Sequence, residues 1–305
     1  MPEFEYLDVD EADTPGDEFE EIELEDTAAD AAGRVADREF SEFRKRIKNT
    51  EQFKLEESVF DEATYGAMYD LVQDGHIVAF GGPISTGKEA NVYTALGPED
   101  TEVAVKVYRI NASEFVDMRG YLDGDPRFRG IGSDKKKVVL AWVRKEYANL
   151  LRAQKAGVRV PNPIAVERNV LVMEYLGTAD GRAKRLSEVD VENPETAFEV
   201  VREYMRRLYS AGLVHGDLSE YNVVFHEGQL VVLDLGQAVT VHHPNSREFL
   251  ERDCENVAAF FGRQGLPVDT DDLLEFVLDE DEEDDEQEDG DGSEGAGERT
   301  DDEAT

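Results

Sequence analysis

Apolar residues recur along this chain in two patterns, one typical of amphipathic helices and one typical of buried strands. Residues 59–75 show helical spacing between an N-cap at Asp61 and a stop signal at Gly75. The same periodicity predicts helices over residues 138–155 and 196–211, and short apolar runs predict strands at 76–80, 90–93, 103–108 and 169–177. This mixture of helices and strands predicts an α+β fold.

Residues 213–237 have the pattern of a loop between two strands, with an acid near each end. Asp217 follows the first apolar run, and Asp234 ends the second run at residues 230–233. Asn222 lies five positions after Asp217. A surface hairpin with ordinary turn acids is the alternative, because Gly, Asp, Asn and Ser dominate turns in general.

The chain has 305 residues and a formal net charge of −39. The length suits one larger domain or two average ones, and we expect a single two-lobed unit because one region alone looks catalytic. Acids crowd both ends, which predicts a largely disordered arm at residues 1–50 and a disordered tail at 279–305. Concentrated salt screens such self-repulsion, so the composition indicates a halophilic source. An ordinary protein with acidic interaction tails is the alternative.

Cys254 is the single cysteine in the sequence, so an intrachain disulfide and metal sites built from several thiolates are excluded. No apolar run approaches the ~20 residues needed to span a bilayer. The first residues also lack the basic and apolar character of a signal peptide. We therefore expect a soluble, cytoplasmic protein that binds neither membrane nor DNA.

The spacing of the three polar residues in 213–237 is that of a kinase catalytic loop. Kinases carry H-R-D-x-x-x-x-N followed by a strand and D-F-G, and this chain reads HGDLSEYN and then DLG. In that pattern Asp217 accepts the hydroxyl proton, while Asn222 and Asp234 hold magnesium at the phosphates of ATP. The sequence therefore predicts phosphoryl transfer.

A glycine-containing turn at residues 82–92 resembles two phosphate-binding motifs. The Walker A pattern fails because Glu89 stands where a hydroxyl should bind magnesium, and because a strand follows instead of a helix. The kinase glycine-rich template fits better, with Ser85, Gly87, Ala90 and Val92 at its four key positions. We therefore predict a turn that covers the phosphates.

Lys106 stands in the apolar strand VAVKVY, which matches the V-A-I-K strand of kinases. A lysine inside such a strand is costly unless it is paired, and the kinase pattern requires a glutamate on a following helix. Glu146 on the helix at 138–155 is the candidate partner. The alternative is that Glu146 only solvates its helix.

The strand at 169–177 leads into the expected connection between lobes, whose backbone should bind adenine. Residues 111–137 are locally basic, which indicates a polyanionic partner such as ATP or ribosomal RNA. A disordered loop whose cations offset neighbouring acids is the alternative. The candidate nucleotide-binding residues are Ser85, Thr86, Gly87, Lys88, Glu89, Ala90, Val92, Lys106, Glu146, Met173, Glu174 and Leu176.

Three segments resemble the type-one branch of the RIO family of atypical kinases: STGKEANVY, HGDLSEYN and HPNSREFLERDCENVAAFF. The resemblance implies a two-lobed kinase-like domain over residues 51–278, with lobes at about 51–173 and 174–278. It also implies a flexible loop at 111–137. The same roles follow for Lys106, Asp217, Asn222 and Asp234. Independently of the resemblance, the chain after Gln237 is too short for the activation segment and helical peptide-docking platform of a protein kinase, which predicts a reduced second lobe.

The resemblance further implies a serine/threonine kinase or ATPase that uses ATP with Mg²⁺, or alternatively Mn²⁺. The implied partners are ATP, a precursor of the small ribosomal subunit or its RNA, and a protein substrate. It also points to an aspartyl-phosphate intermediate on Asp234, whose carboxylate can act as a nucleophile as well as a ligand. A small-molecule phosphotransferase and an ATP-binding scaffold with little turnover are the alternatives.

Overall fold

The computed structural model describes residues 60–110, 115–123, 125–128, 134–178 and 181–279. The acidic arm expected at 1–50 lies outside these residues, as does the tail expected at 279–305 apart from its first residue. Both expectations stay predictions. In the described ranges, no helix combines the length and the apolar character that a bilayer crossing requires.

The described chain opens with helix α1, Glu62–Gln73. The carboxylate of Asp61 accepts a hydrogen bond of 2.7 Å from the backbone N–H of Thr64, which confirms the predicted N-cap. Gly75 follows the helix with φ of 78°, a conformation that glycine adopts without strain. The predicted helix is therefore present.

A five-stranded antiparallel sheet forms the first lobe, in the order β1-β2-β3-β5-β4. Val103, Val105 and Val107 pack in the cluster that contains α1, whereas Lys106 lies on the opposite face of the sheet. The first strand begins three residues later than the sequence predicts. The strands are β1 Ala79–Thr86, β2 Ala90–Leu96, β3 Glu102–Tyr108, β4 Pro163–Glu167 and β5 Val170–Glu174.

Between β3 and β4 the chain forms helix α2, Phe115–Leu122, a short 3₁₀ turn, Pro126–Phe128, and the long helix α3, Lys135–Lys155. Residues 111–137 are hereafter called the insertion. Its described part is mostly helical, whereas the sequence analysis expected a flexible loop. The side chains of Met118, Leu122 and Phe128 are buried in the main core, the apolar cluster that also contains Trp142 and Phe261. Burial of these apolar side chains offsets the cost of ordering the segment.

The second lobe combines helices with short strands. Helices α4 and α5 both pack against α6, and their apolar faces complete the main core with α3. Short strands carry the chain past the lobe interface in two small sheets, β11-β10-β8 and β12-β9, and a β6-β7 pair. The elements are β6 Gly177–Thr178, β7 Gly181–Arg182, β8 Lys184–Arg185, α4 Pro194–Ser210, β9 Leu213–Val214, β10 Val223–His226, β11 Gln229–Val232, β12 Val239–Thr240, α5 Ser246–Arg263 and α6 Thr270–Leu278.

Candidate active site

A cavity of about 320 Å³ lies between the five-stranded sheet and the second lobe. Thr86 does not line it but ends β1 as an exposed residue, and Asp217 reaches the site through Asn222. All the other predicted site residues meet at the cavity: Ser85, Gly87, Lys88, Glu89, Ala90, Val92, Lys106, Glu146, Met173, Glu174, Leu176, Asn222 and Asp234.

Lys106 is the central cation of the cavity. Its Nζ donates to Oε1 of Glu146 at 2.7 Å and to Oδ1 of Asp234 at 2.9 Å. The predicted Lys106–Glu146 contact is therefore confirmed, and Tyr108 also donates to Glu146. Burial alone lowers the pKa of Lys106, but Asp234 and Glu146 outweigh it, so the pKa lies well above its ordinary value. Lys106 is thus a permanent cation in this site.

Asp234 combines accessibility with a constrained backbone. Half of its side chain is exposed, and its φ is 58°, in the left-handed region that few non-glycine residues adopt. Burial would raise the pKa of this carboxyl group, but the charge of Lys106 and its hydrogen bond lower the pKa below its ordinary value. Asp234 is therefore ionised at neutral pH and open to the cavity.

Asp217 is hydrogen-bonded to the second predicted metal ligand. Nδ2 of Asn222 donates to the backbone oxygen of Asp217 at 2.8 Å and to its Oδ2 at 3.1 Å. Burial raises the pKa of Asp217, and the nearby Asp234 adds to this effect. A carboxylate with a raised pKa is a better proton acceptor, as the role of a general base requires.

Asp253 on α5 fixes the loop that carries Asp217 through hydrogen bonds to its backbone. This carboxylate is buried and accepts from the backbone N–H groups of Gly216 at 2.7 Å and Leu218 at 2.8 Å. Burial raises the pKa of Asp253 to about 6. Asp253 was not among the predicted site residues, although an acid on the apolar face of α5, beside Leu250 and Cys254, is a detectable signal.

Gly216 occupies the position where protein kinases carry arginine. Its φ is 78°, and a Cβ atom there would lie 3.1 Å from the backbone oxygen of Gln237, so a side chain would be strained and crowded. The guanidinium of Arg252 on α5 instead donates to the carbonyl of Gly216. A cation from another element thus supports the loop.

The donor set fits Mg²⁺ bound together with nucleotide phosphates. Asp234 offers a carboxylate, and Asn222 uses Nδ2 for Asp217, which directs its Oδ1 away as an oxygen ligand. Over the described ranges, no group of three or more His, Cys, Asp or Glu residues could hold a metal by itself. Mg²⁺ typically binds through one or two protein oxygens together with phosphates and water, and Asp234 and Asn222 offer two such oxygens.

Comparison with known proteins gives a consistent result. A family model described as RIO domain matches residues 91–273. The chain is 67% identical to the RIO-type serine/threonine-protein kinase Rio1 of Haloferax volcanii, over 92% of this chain and 97% of that protein. It is 35% identical to Rio1 of Methanocaldococcus jannaschii, over 79% of this chain and 83% of that protein.

Among solved structures, the Rio2 kinase–ADP/Mg²⁺–phosphoaspartate complex from Chaetomium thermophilum is similar to this chain with a TM-score of 0.53 and 20% identity. The match covers 70% of this chain and 65% of that one. At this level of identity the similarity supports the fold alone, and it confirms the predicted kinase-like architecture of a sheet-rich and a helical lobe.

Proposed function

The chain belongs to the RIO kinase family as an archaeal Rio1-type serine/threonine kinase, and from this premise we propose which residues perform its phosphoryl transfer. The observation that carries the proposal is the convergence of Lys106, Asp234 and Asn222 at one cavity, with Asp217 hydrogen-bonded to Asn222. ATP with Mg²⁺ supplies the transferable phosphoryl group and neutralises its charge. Asn222 and Asp234 hold the metal, and Lys106 binds the inner phosphates.

Asp217 acts as the general base. Its raised pKa and its fixed position beside Asn222 suit it to accept the proton of an incoming hydroxyl group, from a serine side chain or from water. The walls of the cavity suit the rest of the nucleotide. Val92 and Met173 offer apolar surface for adenine, next to the connection that starts at Glu174.

Asp234 also accepts the phosphoryl group during an ATPase cycle. One Oδ atom attacks the γ-phosphorus, the bond between that phosphorus and the β–γ bridging oxygen breaks, and ADP leaves. Water activated by Asp217 then attacks the acyl phosphate and releases inorganic phosphate, and the Asp217 proton returns to solvent. Half exposure and a lowered pKa make Asp234 an available nucleophile. The phosphoaspartate in the Chaetomium Rio2 complex supports this step by analogy.

Acid quenching after incubation with γ-labelled ATP tests the covalent step. We expect label on the wild-type chain that hydroxylamine releases, because an acyl phosphate reacts with hydroxylamine and a phosphoserine does not. Asp234→Ala should carry no such label, whereas Asp217→Asn should accumulate it because the hydrolysis of the intermediate is slowed. Label that resists hydroxylamine, or full labelling of Asp234→Ala, would leave Asp234 as a metal ligand alone.

The biological setting we propose is maturation of the small ribosomal subunit. Support comes from the start of α3, where Lys135 and Lys137 are exposed beside Lys136. Arg127, counted among the basic residues from the sequence, is instead held in an ion pair with the buried Asp125. Arg129 lies outside the described residues.

Binding of small-subunit RNA as a function of salt tests this setting. Replacing Lys135, Lys136 and Lys137 by glutamine should weaken binding and flatten the log–log salt slope, by about 0.9 for each lost phosphate contact to a duplex. Lys155→Gln, at the exposed far end of the same helix, is the matched control and should bind like wild type. An unchanged salt slope in the triple variant would show that these lysines of the insertion do not contact RNA.

A further inference from the structure

Helix α3 places two fully buried polar residues against the segment that follows Asp234. Nδ2 of Asn149 donates to the backbone oxygens of Leu235 and Ala238, both at 3.0 Å. Nζ of Lys145 donates to the backbone oxygen of Gly236 at 2.7 Å. Both side chains have no exposed surface, so these hydrogen bonds form in a protein interior where unmade ones are costly.

These contacts coincide with a strained backbone. Asp234 has φ of 58°, in the left-handed region that is unfavourable for a non-glycine residue. Such a conformation persists when the surrounding structure determines it. Side chains of α3 donate hydrogen bonds to three backbone carbonyl groups within four residues of Asp234. These bonds restrict the backbone conformation of the segment that follows Asp234.

We propose that Asn149 and Lys145 are positioning residues that hold Asp234 in its metal-binding conformation. They act through the backbone, not on the carboxylate, and therefore differ from Lys106, which contacts Asp234 directly. The proposal rests on the role of Asp234 as a magnesium ligand. It assigns α3 a second task besides the presentation of Glu146 to Lys106.

The insertion supplies the outer support of this arrangement. Nη1 of Arg127 donates to Oδ1 of Asn149 at 3.0 Å, which fixes the amide so that its N–H groups face Leu235 and Ala238. Arg127 is itself held by a bidentate contact to Asp125, with Nη2 to Oδ2 at 2.7 Å and Nε to Oδ1 at 3.0 Å. The geometry of Asp234 thus depends on the docking of residues 125–128.

Lys145 is tolerated in the interior because its surroundings replace water. Its ammonium group lies 4.7 Å from the centre of the Trp142 ring, in addition to its bond to Gly236. Burial lowers the pKa of Lys145 to about 7, and its amino group can donate to the carbonyl of Gly236 whether it is charged or neutral. Lys145 is therefore a specific hydrogen-bond donor to the backbone segment that follows Asp234.

The test is ADP binding to the full chain by calorimetry, with and without Mg²⁺, in Asn149→Leu, Lys145→Met and Arg127→Met. We expect ADP affinity without metal to stay within about twofold of wild type. The gain in affinity on adding Mg²⁺ should fall at least about tenfold, as outer-sphere partners of a metal ligand typically contribute 10–100-fold. Arg127→Met should show the smallest loss because it acts through Asn149.

Two variants on the same helix serve as controls. Lys155→Met removes an exposed lysine and should bind Mg²⁺·ADP like wild type. Val139→Ala creates a cavity in the buried core and should lower the melting temperature. It should nevertheless keep the full gain in ADP affinity on adding Mg²⁺. A variant that is merely destabilised would behave like Val139→Ala, so the Mg²⁺ gain separates positioning from stability.

The outcomes distinguish this inference from the proposed function. If adding Mg²⁺ does not raise the ADP affinity of the wild-type protein, the proposed role of Asp234 as a magnesium ligand is contradicted. If wild type shows the gain and the folded Asn149 and Lys145 variants keep it, the positioning inference is overturned. Should Asn149→Leu not fold, Asn149→Asp decides, because it is isosteric, keeps the acceptor for Arg127 and removes the two N–H donors.

Discussion

Asp217 and Asp234 are carboxylates of one site, but their surroundings shift the two pKa values in opposite directions. Burial raises the pKa of Asp217, whereas Lys106 at 2.9 Å overcomes burial and lowers the pKa of Asp234. A pair of acids with pKa values pushed apart is a common sign of divided roles. The difference in pKa supports the proposed division, in which Asp217 transfers the proton and Asp234 binds the metal and the phosphoryl group.

The two acids also differ in what holds them. The Asp217 loop is fixed from α5, where Asp253 accepts two of its backbone N–H groups. The Asp234 segment is fixed from α3, which captures its backbone oxygens and pairs Lys106 through Glu146. One helix from each lobe therefore contacts the backbone beside one acid. A change in either helix should affect one role more than the other.

The largest expected effect comes from Asp217→Asn. Turnover of ATP should fall by about 10²–10⁴-fold, because this is what a positioned general base contributes. Affinity for Mg²⁺·ATP should stay close to wild type, since Asp217 is not a metal ligand in this account. Steady-state turnover and equilibrium binding on the same preparation measure both. Wild-type turnover in this variant would remove Asp217 from the reaction.

Lys106→Met should affect Asp234, the second acid of the comparison, because Lys106 contacts its carboxylate. It leaves Glu146 buried without its cation, which we expect to cost about 3–5 kcal/mol of unfolding free energy. Lys106 also keeps Asp234 ionised as the pH falls, so its loss should move the acid limb of Mg²⁺·ADP binding to higher pH.

Denaturant unfolding and binding at several pH values measure these two effects of Lys106→Met. The double variant with Glu146→Gln is the control for the stability effect, and it should recover part of the lost stability because the unpaired charge is gone. No recovery would mean that Glu146 does not carry the penalty. An acid limb that stays in place would contradict the effect of Lys106 on Asp234.

The smallest effect concerns the pH dependence of stability at Asp253. Its folded pKa is about 6, raised from an ordinary value of 3.8, so the folded chain holds this proton more tightly than the unfolded chain. This contribution is fully present below about pH 4 and is lost as the pH rises through about 6. A shift of about two units corresponds to about 3 kcal/mol.

Asp253→Asn removes that titration, so the difference in unfolding free energy between wild type and variant should change across this pH window and stay flat above it. The variant also lacks one of the two acceptors for the Asp217 loop, and its turnover should fall at every pH. Asp271→Asn, an acid at the exposed start of α6, is the control. A difference that is independent of pH would show that Asp253 does not titrate near 6.

Short motifs allowed the predicted site to be read from the sequence because their residues are close along the chain. Lys106, Asp217, Asn222 and Asp234 each stand in a strand or loop whose spacing is recognisable, and their proximity follows from the kinase-like fold. Thr86 was predicted by adjacency alone, and it is instead an exposed residue at the end of β1, outside the lining of the cavity.

The supporting residues could not be placed in the same way. Asp253, Lys145 and Asn149 are polar residues on the buried faces of helices, and their partners are backbone groups distant in sequence. A sequence shows that such a residue interrupts an apolar face but not which backbone group it satisfies. The helix α2 in the insertion was missed for a similar reason, because the basic composition of the segment concealed the apolar side chains of Met118 and Leu122, which pack in the core.

The most direct test of the division between the two acids is a carbon-13 NMR titration of aspartate carboxyl groups in the full chain. Spectra of Asp217→Asn and Asp234→Asn identify the two signals. We expect Asp217 to titrate above the ordinary aspartate pKa and Asp234 below it, and we expect the pKa of Asp234 to rise in Lys106→Met. Equal pKa values, or the reverse order, would contradict the assignment of proton transfer to Asp217 and of metal and phosphoryl binding to Asp234.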